Sequence, residues 1–113
     1  MTRVTFYRRP DGLCVGYRAQ GHANFGEYGS DIVCAAVSAL TQATYLGISE
    51  VVGAKAQMKS ESGLFSVMLD ENQPAQLLEK AQLLLDTLEK ALYSISGDPA
   101  YGGSVRVDIR ERR

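Results

Sequence analysis

Short blocks of alternating apolar and polar residues, twice followed by a stretch of helical period, predict an α+β fold. The expected architecture is a two-layer sandwich in the order ββαββαβ, a mostly antiparallel five-stranded sheet with two helices on one face. Three observations carry this. Arg9-Pro10-Asp11-Gly12 and Glu61-Ser62-Gly63 each join two short alternating runs, and tight turns between such runs make antiparallel hairpins. Leu77, Leu78, Ala81, Leu84, Leu85, Leu88, Ala91, Leu92 and Ile95 recur at helical period, the strongest amphipathic signal in the chain. The 113 residues contain no linker, low-complexity segment or clear repeat and suffice for one core, so residues 1–113 read as a single domain.

In order along the chain, residues 2–9 are β-branched and aromatic with charges at the ends, and residues 13–20 read as the returning strand. Period-two alternation places Leu13, Val15, Tyr17 and Ala19 on one face and Cys14, Gly16 and Arg18 on the other. Gly21-His22 lies just past that strand, and residues 24–30 read as a glycine-rich polar loop with freedom to move. From Asp31 to about Val52 the pattern is helical, with a packing stripe of Val33, Ala36, Val37, Leu40, Ala43 and Gly47. Ile32, Ala35, Ala39 and Leu46 leave little else polar except a narrow strip of Cys34, Ser38, Thr41, Gln42 and Tyr45. The small residues of this helix allow close approach by a sheet or another subunit, and Gly47 costs its last turns about 1 kcal/mol against alanine.

Residues 55–60 alternate as a strand, with Ala54, Ala56 and Met58 on one face, and Phe65, Val67 and Leu69 line the inner face of its partner. Pro74 is expected at the first position of the second helix, where proline is favoured, and Gly97-Asp98-Pro99 ends it. The last strand is residues 104–109, with Val105, Val107 and Ile109 inward and Arg106, Asp108 and Arg110 outward.

Composition narrows the function classes. A net charge of −1 gives no broad basic field, so no direct nucleic-acid contact is expected, and Arg106, Arg110, Arg112 and Arg113 read as a solvated strand face. No apolar run is read as approaching a membrane span, and the N-terminus passes straight into strand alternation without a signal-peptide pattern. Two cysteines are too few for a disulfide framework, which fits a reducing, cytoplasmic setting.

The residues that carry chemistry are gathered between positions 21 and 38. His22 is the one histidine, and Cys34 follows it by twelve positions across the glycine-rich loop. With a helix starting near Asp31, Cys34 sits in its first turn, where free N–H groups and the helix dipole favour a thiolate. A neutral imidazole close by accepts the thiol proton, which makes a minimal cysteine nucleophile. The plain alternatives are a core cysteine and a strand-end histidine, because free cysteine is commonly buried. Asp31 reads as the helix N-cap or as an acceptor orienting His22, and Ser38 as a hydroxyl bonded back to the helix or within a small network. Cys14 reads as a small apolar filler. Together with Cys34, His22 and Asp31 it forms the sole conceivable zinc set, without paired-ligand spacing, so no metal and no cofactor are expected. The glycines at 21, 26 and 29 are not a phosphate loop, since no lysine-serine or lysine-threonine pair follows.

The segment Gly21-His22-Ala23 followed by Gly29-Ser30-Asp31-Ile32-Val33-Cys34-Ala35-Ala36-Val37-Ser38-Ala39-Leu40 closely resembles the signature of the ribosomal-processing cysteine protease family, Prp, and the chain length and element order fit that family throughout. The resemblance implies a cytoplasmic, homodimeric endopeptidase that removes an N-terminal extension from large-subunit ribosomal protein twenty-seven so that the ribosome matures. By position, Cys34 matches the family's nucleophile and His22 its general base and acid. Asp31 and Ser38 match supporting positions, and Gly21, Ala23 and Gly29 match the substrate loop. Asn24-Phe25-Gly26-Glu27 departs from the commoner glycine-tyrosine-alanine-glutamate version. The family also implies cleavage after aromatic residues, for which Phe25, Tyr28 and Tyr45 are candidate pocket walls. The rival readings are a non-catalytic dimeric ribosome-assembly module with a structural His22 and Cys34, and a redox-sensing thiol protein that needs Cys14 as its resolving partner.

Overall fold

Strands β1 (Thr2–Arg8) and β2 (Cys14–Gln20) pair antiparallel, with Phe6 opposite Tyr17, closed by a turn in which the N–H of Gly12 donates to the Arg9 carbonyl and Gly12 takes φ +93°. The structure, a computed structural model, describes residues 1–21 and 28–112, with the backbone but not the side chains of residues 28–31. Helix α1 (Tyr28–Leu46) leads through one wider, π-wound stretch (Gly47–Val52) to the hairpin of β3 (Ala56–Glu61) and β4 (Leu64–Leu69). Helix α2 (Ala75–Ser96) then leads to β5 (Val105–Glu111).

The sheet runs β3-β4-β2-β1-β5, antiparallel throughout except where β5 pairs parallel with β1. From these pairings β2 and β3 point the same way, as do β4 and β5, so each helix is a crossover between parallel strands with others lying between them. Such crossovers are right-handed. The two run in opposite directions across the sheet from strands of opposite sense, which puts both helices on one face. The predicted α+β sandwich is the fold observed, with that one parallel pair.

The core lies between sheet and helices. Val4, Phe6, Tyr17 and Val67 of the sheet pack there with Val33 and Val37 of α1 and with Leu78, Ala81, Leu85, Leu88 and Leu92 of α2. The α2 stripe follows the sequence period. Pro74, however, caps the helix with ψ 136° instead of occupying its first turn. Ile109, expected inward, is exposed, as is Met58, because β5 and β3 are the edge strands.

Alternation fails at one point in β2. Tyr7 pairs with Gly16 but Arg8 pairs with Cys14, so Val15 is an extra, bulged residue. The bulge turns Cys14 to the same side as Tyr17, and both belong to the core, against the opposite-face expectation. Cys14 is fully buried, as a small filler should be. Gln82 of α2 fixes the bulge by accepting from the Cys14 N–H and donating to its carbonyl, both at 2.8 Å.

Two further expectations change at α1. The helix begins at Tyr28, so Tyr28, Gly29 and Ser30 are helical where a loop was expected, and Asp31 lies inside the first turn and is not the N-cap. Its outward side, Ile32, Ala35, Ala39, Ala43 and Leu46, is exposed where burial was expected of all but a polar strip. Ile32–Val52 is also long and apolar enough to cross a membrane by length and composition alone, contrary to the sequence reading. Here its Val33, Val37 and Ile48 belong to the domain core and Thr41 is buried, while most of its other residues face outward. Gly47 sits where α2 comes close: a Cβ there would lie 2.9 Å from Leu84 Cδ1.

Candidate active site

Cys34 is half-buried in the second turn of α1 and opens onto a cleft of about 310 Å³. Helical period puts Ser38 one turn on and Thr41 and Gln42 a turn beyond, and all three line the same cleft. Thr41 is buried, with its hydroxyl donating to the Val37 carbonyl at 2.9 Å, so its polarity is spent within the helix. Ser38 is exposed and its hydroxyl accepts from Gln42 Nε2 at 3.3 Å, a small network of the kind expected.

The opposite wall comes from the sheet. Gln20 and Gly21 at the end of β2 and Ser60, Glu61, Gly63 and Phe65 of the β3–β4 hairpin complete the cleft. Gly21 holds two constraints that exclude a side chain. Its φ is +125°, and a Cβ would lie 2.3 Å from the Met1 carbonyl oxygen. Its N–H donates to the Gly63 carbonyl at 3.1 Å, which ties the β2 end to the hairpin turn. Phe65 is braced edge-on by Tyr45, with ring centroids 6.4 Å apart and planes at 77°. Glu61 is the one carboxylate lining the cleft among the described residues, and Lys59 stands 3.5 Å from it.

Of the site residues expected from sequence, Gly21, Cys34 and Ser38 therefore meet at one cleft. Gly29 and Asp31 belong to the first turn of α1, a turn before Cys34. His22 and Ala23 lie outside the described residues, as does Phe25. With this earlier helix start the free N–H groups among the described residues are those of residues 28–30, so the backbone of Cys34 is past the first turn, where the dipole is strongest.

The site is buttressed from the core by Tyr17, whose hydroxyl donates to the Thr41 carbonyl at 2.7 Å. Burial pushes that hydroxyl well above the ordinary tyrosine range, with nearby Cys14 and Tyr45 adding to the effect. Sequence reasoning gave no sign of this anchor or of the hairpin wall, because both depend on contacts between residues far apart in the chain. The Glu61-Ser62-Gly63 turn signal marked the hairpin but not what it faces.

Cys14 is remote from the cleft. It begins β2, whereas the cleft lies at the Gln20-Gly21 end, six residues and roughly 20 Å along an extended strand. That span puts Cys14 out of disulfide reach of the cleft, which removes the resolving partner the redox reading required. Its thiol is raised above the ordinary cysteine range chiefly by burial.

Comparison with known proteins gives a consistent picture. The family model for cysteine protease Prp matches residues 1–103. The chain is 29% identical over 109 residues to the ribosomal processing cysteine protease Prp of Bacillus subtilis (strain 168), covering 95% of this chain and 96% of the relative. The fold superimposes with a TM-score of 0.84 on the essential ribosomal processing protease Prp from S. aureus, solved in complex with a substrate peptide. That match is 25% identical and covers 97% of this chain and 100% of the other. A Streptococcus mutans protein of known structure matches with a TM-score of 0.78 and 28% identity, over 99% of this chain and 96% of its own.

Proposed function

The chain belongs to the cysteine protease Prp family, hydrolases acting on peptide bonds. On that premise we propose that it is an endopeptidase removing the N-terminal extension of large-subunit ribosomal protein twenty-seven, with Cys34 as nucleophile and His22 as general base and acid. The observation that carries the reading is that Cys34 opens onto a cleft whose other wall includes Gly21. His22 is the next residue in the chain. A relative held a substrate peptide and, in a second structure, a covalently linked product peptide, as a thiol protease does.

The chemistry follows in balanced steps. His22 takes the Cys34 proton, and the sulfur forms a bond to the scissile carbonyl carbon as the carbonyl oxygen becomes an oxyanion. Helical side chains lean toward the helix N-terminus, which carries the thiol of Cys34 toward the free N–H groups of residues 28–30, candidate donors to that oxyanion. The C–N bond then breaks as His22 returns the proton to the leaving amine. Water, deprotonated by His22, releases the acyl group from sulfur. Asp31 and Ser38 act as supporting residues. Phe65, braced by Tyr45, offers the aromatic wall for an aromatic residue before the cut.

The whole of residues 1–113 serves as one catalytic domain, working in the reducing cytoplasm where the thiol stays free. A homodimer has a candidate surface in the outward side of α1, which carries no charged residue from Ile32 to Ser49. The test is incubation of the extended ribosomal protein with the native enzyme and with Cys34→Ala and His22→Ala. Native enzyme should shorten it and both variants should lose at least a thousandfold in kcat/KM. Unchanged cleavage by either variant refutes the dyad, and an uncut substrate with native enzyme refutes the substrate.

A further inference from the structure

The helices cover one face of the sheet and leave the other open, and register fixes what that open face presents. Lys59, Ser66, Arg18, Thr5 and Asp108 form one row across the strands, and Gln57, Met68, Gly16, Tyr7 and Arg110 form the next. A groove of about 620 Å³ lies over these rows. Four cations line it, Arg18, Lys59, Arg110 and Arg112, with Glu111 the one acidic residue among its lining. The surplus of three positive charges stands in a chain whose net charge is −1.

The cations are not equivalent. Lys59 lies 3.5 Å from Glu61, whereas Arg18, Arg110 and Arg112 make no ion pair among the described residues. Asp108 is occupied by Arg3 at 3.3 Å and Arg106 at 3.1 Å, so it does not neutralise the groove. These three side chains, without an ion pair among the described residues, are all guanidinium groups, whose planar fork suits the paired oxygens of phosphate better than an ammonium does. Tyr7 lines the same groove and supplies a ring on which a base can stack.

We propose that this open sheet face binds the phosphate backbone of RNA, holding the protein on a ribonucleoprotein particle while the Cys34 cleft, on the helix side, stays free. Charge complementarity selects a polyanion, and guanidinium forks beside an aromatic ring select RNA over an acidic polypeptide. By sequence alone the C-terminal arginines read as a solvated strand face. The fold changes that by adding Arg18 of β2 and Lys59 of β3 to Arg110 and Arg112 around one groove. The inference rests on the sheet and not on the role of Cys34.

The test is fluorescence anisotropy of a labelled 20-nucleotide single-stranded RNA titrated with the intact protein between 50 and 200 mM salt. Three neutralised phosphates give a log–log salt slope of roughly −2. The exposed pair Arg18→Glu and Arg110→Glu together should weaken binding at least tenfold and flatten that slope, while cleavage of a short peptide substrate stays within twofold. Arg18→Lys with Arg110→Lys should retain most of the salt slope, which separates lost charge from lost folding. Absence of RNA binding by the native protein at 50 mM salt, or equal binding by the charge-reversed variant, overturns the proposal. Equal affinity for a polyglutamate peptide of the same charge overturns it in favour of an acidic protein partner.

Discussion

Tyr17→Phe isolates the bond that ties the helix carrying Cys34 to the sheet. The ring is fully buried and lies 6.2 Å from Phe6 at 38°, and phenylalanine keeps that packing. What disappears is one donor to the Thr41 carbonyl, an intramolecular hydrogen bond worth about 0.5–1.5 kcal/mol net. The carbonyl is not orphaned, because a helical C=O also accepts from the N–H four residues on, so the full penalty for a buried unsatisfied group does not apply. The expected loss is therefore about 1 kcal/mol, a fall in Tm of roughly 4 °C for a domain this size. Alanine instead of phenylalanine would empty a core site and cost about 3–5 kcal/mol. Urea denaturation at pH 7 gives the first number, and peptide cleavage shows whether loosening α1 two turns beyond Cys34 lowers kcat. The same variant changes the alkaline limb. A buried hydroxyl whose pKa is raised in the folded state keeps its proton there, so stability is held below the ordinary tyrosine range and lost as pH rises through and beyond it. Tyr17→Phe should lose less stability between pH 9 and 11 than the native chain does. Equal stability at pH 7 together with an unchanged alkaline limb would refute the reasoning, as would a loss above about 3 kcal/mol.

Other perturbations test separate parts of the framework. Gly21→Ala meets a φ of +125° and the Met1 carbonyl, so cleavage should fall more than tenfold along with a stability loss of about 2 kcal/mol, read by kinetics and thermal melting. Gly16→Ala puts a Cβ 2.4 Å from the Val67 carbonyl oxygen on the neighbouring strand. The β2–β4 pairing has to open, at about 1–3 kcal/mol in urea denaturation. Gln82→Leu leaves the bulged Cys14 backbone without either of its side-chain bonds, a loss of about 1–3 kcal/mol, and should raise the thiol-labelling rate of Cys14.

The parts of the fold written in local pattern were legible from sequence. The Leu78-to-Leu92 stripe gave α2 because one face of a helix repeats every three to four residues, and the two turn signals gave the hairpins. What failed was set by contacts. Alternation carries no mark of an inserted residue, so the bulge at Val15 and the side taken by Cys14 were invisible. Tyr28-Gly29-Ser30 has the composition of a turn, yet its backbone is helical, against a glycine penalty of about 1 kcal/mol. The parallel pairing of β5 with β1 depends on where α2 returns the chain across the whole sheet and has no signature in the last strand itself. At the site, helical spacing placed Cys34 and Ser38 together, but the hairpin wall and the Tyr17 anchor join residues too distant in the chain to be read from it.

With α1 starting at Tyr28, the proposed dyad makes His22, more than the helix end, the group that would activate Cys34. Site-resolved iodoacetamide labelling of native and His22→Ala protein across pH 5–9, followed by mass spectrometry, measures this directly, with buried Cys14 as internal control. The account predicts rapid alkylation of Cys34 at pH 7 in the native chain, at least tenfold slower in His22→Ala, and little at Cys14 in either. Equal Cys34 rates in the two proteins would contradict it.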